Sequence, residues 1–218
     1  MLYSDYFYRV RRLLRDATAN FWDNAQLGVW INKARDDIAL LTGCTRNLVQ
    51  IPCVAGQEFY SYGTVLAQVV ASGLPAQSVN QILQISFLPN PSLRYPLRRN
   101  EFSRHNNIFR QLATFQGWPT VWAPLGYQQF SLMPIPSSNA FSLEVDNLYT
   151  PNPLVDQTNL ETAIPDPWAD LVPLRAAKWC KYYEEAYEDA DIFETKFLEQ
   201  LAQIGGALPQ FAGGLEFS

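Results

Sequence analysis

Few side chains in this chain are equipped for chemistry. His105 is the only histidine among 218 residues, and it stands in Arg104-His105-Asn106-Asn107, where a solvated or capping role is the plain reading. One histidine and three scattered cysteines, Cys44, Cys53 and Cys180, lack the paired ligand spacing that zinc sites use. An odd cysteine count without a CxxC pair fits reduced thiols packed as small apolar residues. No phosphate-binding glycine loop, nucleophile elbow or HExxH helix occurs, so no catalytic residue, cofactor or metal is expected. Carboxylates are the remaining resource, because Glu184, Glu185, Glu188, Asp189, Asp191 and Glu194 crowd one helical stretch. Glycoside hydrolysis requires a shielded acid facing a solvated one across a cleft, and Glu184 with Glu188 would be the pair. Acids along one helix repel each other through water, so a solvated acidic face is the simpler reading. Its functional form is electrostatic: Glu184, Glu188 and Asp191 would line a channel wall to which passing DNA does not stick.

Aromatics supply binding rather than catalysis. The chain has 13 Phe, 11 Tyr and 6 Trp, while charged residues make up only 17%, against about 25% in ordinary globular proteins. So few charges cover a lone monomer poorly, and some apolar surface is expected to face a partner. Trp22, Trp30, Trp168 and Trp179 fall on apolar helical stripes, where core packing accounts for them. Phe109, Phe115, Trp118, Trp122, Tyr127 and Phe130 cluster among prolines beside Arg98, Arg99, Arg104 and Arg110. Arginine beside aromatics is the signature of protein interface hot spots. A carbohydrate-binding module over 109–130 or a base-stacking platform would use the same side chains. The arginines put a protein interface first, with Arg104, Phe109, Arg110, Trp118 and Trp122 as its residues. A net charge of −5 argues against wrapping nucleic acid.

The elements that position these residues change type along the chain. Residues 3–16 place Tyr3, Tyr6, Val10, Leu13 and Leu14 on one helical face. Asp23 is a candidate N-cap for a second helix carrying Leu27, Trp30, Ile31, Ala34, Ile38 and Leu41, which Gly43 ends. The period then shortens. Strands are expected at 48–52 and 58–62 around a turn at Ala55-Gly56, at 79–88, and at 119–122, 127–133 and 141–149, with a short polar helix from Asn100 carrying His105. Pro165-Asp166-Pro167-Trp168 restarts a helix, and an apolar stripe runs from Val172 to Ile204. Asp191 and Glu194 resemble a capping box, which favours two helices in a hairpin over one long helix. The expected fold is α+β: a helical bundle from 1–45 plus 165–207, a β-rich insertion of antiparallel sheet or sandwich at 46–164, and an extended tail at 208–218. The opening Met1-Leu2-Tyr3-Ser4-Asp5-Tyr6 is no signal peptide, and Gly63 to Pro75 is too short to span a bilayer, so folding in the cytosol without a membrane is expected.

Four segments in fixed order carry a resemblance. Arg12-Leu13-Leu14-Arg15-Asp16 precedes Phe21-Trp22-Asp23-Asn24-Ala25-Gln26-Leu27-Gly28-Val29-Trp30-Ile31-Asn32-Lys33-Ala34. Gly117-Trp118-Pro119-Thr120-Val121-Trp122 leads to Phe130-Ser131-Leu132-Met133-Pro134-Ile135-Pro136. Leu148-Tyr149-Thr150-Pro151-Asn152-Pro153-Leu154 follows, and then Ile164-Pro165-Asp166-Pro167-Trp168. Together they resemble the head–tail connector adaptors of tailed phages, the group that includes podovirus adaptors and tail tubular protein A. Thr150 departs from the aromatic or charged residue common there, and 63–78 has no counterpart.

The resemblance implies a non-enzymatic structural subunit of the virion neck, made in the host cytoplasm. It implies a ring of copies, commonly a dodecamer, seated on the portal protein and receiving the tail nozzle or tube. Double-stranded DNA would pass through the ring without sequence recognition during genome ejection. It further implies a C-terminal tail gripping the portal, with Pro209, Phe211, Leu215 and Phe217 as anchors, and a β-rich side meeting the next tail component. The competing readings are a virion-associated glycan hydrolase and an aromatic carbohydrate-binding module.

Overall fold

The computed structural model describes residues 1–103, 106, 115–126 and 128–205. Expectations placed on Arg104, His105, Phe109, Arg110, Tyr127, Pro209, Phe211, Leu215 and Phe217 lie outside the described residues. The described chain is a mixed α+β protein with five α-helices and several antiparallel sheets. None of these helices is long and apolar enough to cross a membrane. Two compact units divide the chain, Met1–Leu41 with Pro153–Ser218 and Thr42–Asn152. The stretch 153–164, expected in the β-rich insertion, therefore belongs with the helices.

In the helical unit, α1 (Tyr3–Leu14) and α2 (Asn24–Thr42) open the chain. Asp23 caps α2 as its side chain suggests: its Oδ1 accepts the Gln26 amide at 2.6 Å, and Gln26 Oε1 accepts the Asp23 amide at 3.4 Å. Gly28 sits inside α2 for a packing reason, because a Cβ there would come within 2.7 Å of the Tyr3 hydroxyl. The last two described helices are α4 (Val172–Tyr183) and α5 (Tyr187–Gly205), entered through a 3-10 turn at Trp168–Leu171. The helix start expected at Pro165–Trp168 is thus a tighter turn, with Pro173 in the first turn of α4.

The hairpin of α4 and α5 turns at Glu184–Ala186, several residues before the Asp191 cap that the sequence suggests. A Schellman closure decides the position. Ala186 N–H donates to the Lys181 carbonyl at 3.0 Å and Glu185 N–H to Tyr182 at 3.2 Å, with Glu185 left-handed at φ +60°. The α1 terminus closes in the same way, Asp16 to Arg11 at 3.0 Å and Arg15 to Arg12 at 3.3 Å, with Arg15 at φ +58°. Neither left-handed residue is the glycine such closures prefer, which hides both stops from a sequence reading. Glu185→Gly is accordingly expected to stabilise the protein by about 0.5–1 kcal/mol, measured by urea unfolding. A loss of stability would show that the carboxylate makes a compensating contact.

The described residues of the second unit include ten strands and a helix. β1 (Arg46–Pro52), β10 (Ser142–Pro151), β3 (Ala76–Asn90) and β4 (Leu93–Pro96) form an antiparallel sheet in that order, with Val49 opposite Val145 and Val145 opposite Ile85. β2 (Phe59–Ser61), β8 (Gln129–Met133), β7 (Val121–Leu125) and β5 (Arg98–Arg99) form a second sheet, in which only the β5–β7 pair is parallel. β6 (Gln116–Gly117) and β9 (Ile135–Pro136) make a small parallel pair. Between β2 and β3 lies α3 (Tyr62–Ala71), a helix within the stretch that has no counterpart in the resemblance. Ser61 caps it by accepting the Gly63 amide at 2.9 Å, and Tyr62, Val65 and Val69 turn inward. Side chains of both four-stranded sheets and α3 meet in one hydrophobic cluster, including Ile51, Val65, Ile85, Trp122, Phe130 and Val145.

Candidate functional site

The first, third and fourth segments that carried the resemblance meet in a network of hydrogen bonds within the helical unit. Asp16 ties the corner between α1 and α2. Its carboxylate accepts the amides of Asn20 at 3.0 Å, Phe21 at 3.3 Å and Trp22 at 3.0 Å, and Arg11 Nη1 at 3.1 Å. The Trp22 amide foremost, opposed by burial and helped by the other donors, holds the Asp16 carboxyl below its usual range. Arg11 Nη2 continues to the Trp22 carbonyl at 2.9 Å and to Asn24 Oδ1 at 2.8 Å. Trp22 is buried, and its indole N–H donates to Glu184 Oε1 at 2.8 Å. The corner is thereby fastened to the end of α4.

A second fastening lies deeper. Asn32 clamps Leu154 from both sides, donating to its carbonyl at 3.0 Å and accepting its amide at 2.9 Å. One turn along, the buried Arg35 meets the buried Glu161 in a two-point pair, Nε to Oε2 at 2.6 Å and Nη2 to Oε1 at 3.0 Å. Glu161 Oε1 also accepts the amides of Ala163 at 3.0 Å and Ile164 at 3.2 Å, while Oε2 accepts the Tyr6 hydroxyl at 3.3 Å. Burial alone would raise the Glu161 carboxyl. The hydrogen bonds and charge of Arg35, with the two amides, outweigh it and hold the group below its ordinary value. Beside the pair, burial pushes Asp36 up to about 6, with Arg35 opposing and Asp37 adding to the rise. Arg35 was readable as a charge embedded in the Ile31, Ala34 and Ile38 stripe, a position that demands a partner. Nothing local marks Glu161 as that partner.

The acids at the end of the chain divide into two groups. Glu184 is half-buried and committed, to Trp22 and to Lys181 Nζ at 2.6 Å. Glu194 joins Arg175 at 2.6 Å and Lys178 at 3.1 Å, and these contacts keep its carboxyl low against the opposing effect of burial. Glu184 is therefore a structural residue rather than a free member of an acidic face. Glu188 and Asp191 are exposed on α5. The hydrolase reading needs an acid shielded in an apolar cleft, and Glu184, bonded to an indole and an ammonium, does not answer to it.

In the β-rich unit the two nominated tryptophans part company. Trp122 is 0% exposed, edge-on to Phe130 with centroids 6.4 Å apart and Arg99 5.5 Å from its ring centre. It packs the core and is corrected from interface to scaffold. Trp122 lies in β7, where Val121, Trp122 and Ala123 are all buried, whereas the cluster of aromatics in sequence suggested a surface. Trp118 is 52% exposed and rests on Phe87 at 5.9 Å, Tyr95 at 6.0 Å and Phe141 at 6.4 Å, with Tyr95 also exposed. These rings form an aromatic shelf whose inner member, Phe87, belongs to the core. Tyr95 joins it by pairing opposite Phe87, and Phe141, just before β10, accepts the Cys53 amide at 2.9 Å, contacts that their sequence positions do not disclose.

The family model described as SU10 adaptor protein matches residues 1–213. No curated protein matches the chain.

Proposed function

The chain belongs to the SU10 adaptor protein family, a family of phage structural proteins, and from that premise we propose that it joins head to tail in the virion neck. Copies of the chain close into a ring, a dodecamer in the group it resembles. The ring docks on the portal protein and receives the tail nozzle or tube around the DNA channel. Function then resides in shape and contact, with no catalytic step. The family match over residues 1–213 is the observation that carries this reading. Physical support comes from the low charge fraction, which leaves apolar surface for partners, and from the exposed shelf of Trp118 and Tyr95 on a rigid sheet, suited to the tail component. Subunits that repeat around a ring convert modest contacts into a stable joint.

Pro209, Phe211, Leu215 and Phe217 are the proposed portal anchors, apolar side chains in a segment otherwise rich in glycine. Deleting residues 208–218 is expected to abolish capture by purified portal rings while the truncated chain melts at the same temperature. Undiminished capture would remove the tail from the proposal. A mass measurement tests the ring itself: a discrete multiple of the chain bound to portal supports it, and a single bound copy defeats it.

A further inference from the structure

Among the described residues, the helical unit carries a basic groove between the end of α1 and α5, and an acidic ridge along another side of α5. Asp189, Ile192, Phe193, Lys196 and Gln200 recur at helical spacing along one side of α5. Together with α1 and α4 they bound a groove of about 690 Å³. Arg12, Arg15 and Lys196 stand exposed on its walls without an ion pair to any described residue, and Leu13, Leu14, Ile192 and Phe193 supply an apolar floor. Its other charges are already spent: Arg9 pairs with Asp170 at 2.6 Å, and Lys181 with Glu184 at 2.6 Å and Asp189 at 3.9 Å. On an adjoining side of α5, Glu188, Asp191 and Glu199 form an exposed ridge, also without ion pairs to described residues, and Leu198 stands exposed among them.

We propose that this acidic ridge seats in the basic groove of a neighbouring copy, so that α5 is the joint between adjacent subunits. The inference rests on the ring reading and supplies its contact. The argument is complementarity. Three cations without a described ion pair, Arg12 and Arg15 at the end of α1 and Lys196 on α5, stand beside an apolar floor, and three acids without a described ion pair surround an exposed leucine along the adjoining side of α5. A patch and its complement on different sides of one molecule give a heterologous, head-to-tail contact, the kind that closes into rings. Opposed charge would also fix register and reject the inverted pairing. A channel wall would use the ridge acids but leaves the groove without an occupant.

Charge reversal tests the joint. The groove variant carries Arg12→Glu and Lys196→Glu; the ridge variant carries Glu188→Lys and Asp191→Lys. All four residues are exposed, so thermal melting of each monomer should match the parent. Ring formation is followed by native mass spectrometry with and without purified portal rings. Each variant alone is expected to assemble at least about tenfold more weakly. A mixture of the two, or one chain with all four reversals, should recover assembly, because every contact again joins opposite charges. Rings of undiminished strength from either single variant, or no recovery in the mixture, overturn the joint while leaving the ring reading intact. Rings unaffected by ridge reversal in particles that fail only in DNA release would return those acids to a channel wall. Absence of rings from the parent chain defeats the ring reading itself.

Discussion

Glu161→Ala is expected to cost about 3–5 kcal/mol, enough to unfold much of the helical unit, since it strands the buried Arg35 guanidinium. The carboxylate does more than balance charge. It accepts the Ala163 and Ile164 amides, and it sits against Arg35, which reaches Asn32 Oδ1 at 3.0 Å and so joins the clamp on Leu154. Removal therefore releases the 153–164 stretch from α2 along with the ion pair. Replacing both partners, Arg35→Met with Glu161→Leu, should recover only part of the loss. The buried charges are gone, but the two amides remain without their acceptor. Urea unfolding of the two variants and the parent measures the difference. Full recovery in the double variant would show the amides to be satisfied elsewhere.

The same pair dictates an acid response. Glu161 titrates lower folded than unfolded, so its stabilisation is complete above the unfolded group's value of about 4.5 and drains as pH falls through the folded value. The helical unit should lose stability in that acid window, and the double variant, lacking the carboxyl, should lose less there. An equal decline in both would place the acid sensitivity elsewhere.

Periodicity made the framework legible because it records which face meets the core. Both opening helices, the Asp23 cap and the Gly43 stop are local features, and local spacing is enough for them. Long-range pairing is a different matter. Glu161 looks like any loop acid until the fold brings it within 2.6 Å of Arg35, its partner 126 positions away in sequence. Turns closed by Arg15 and Glu185 escaped because a left-handed non-glycine carries no sequence mark. The helix at Tyr62–Ala71 escaped for another reason: Gly63, the valines and Tyr62 depress helix propensity, although Tyr62, Val65, Leu66 and Val69 keep the spacing. In the first resemblance segment Asp16, Trp22, Asp23 and Asn32 are fasteners within the helical unit, whereas the second segment holds both the buried Trp122 and the exposed Trp118.

Trp122 and Trp118 stand four residues apart and should respond to truncation in opposite ways. Trp122→Ala removes a fully buried indole from a cluster shared by two sheets and α3. A cavity of that size is expected to cost about 3–5 kcal/mol, lowering the melting temperature of the β-rich unit before any binding is tested. Trp118→Ala removes a ring already half in water. Its stability cost should stay within about 1 kcal/mol, limited to contacts with Phe87, Tyr95 and Phe141. If the shelf receives the tail component, Trp118→Ala weakens that attachment at least tenfold while portal capture is unchanged. Attachment that survives Trp118→Ala would exclude the shelf, whereas loss of attachment in Trp122→Ala alone would report only unfolding. The pair thus separates a residue that builds the surface from one that is the surface, a distinction that clustering of aromatics along the sequence does not make.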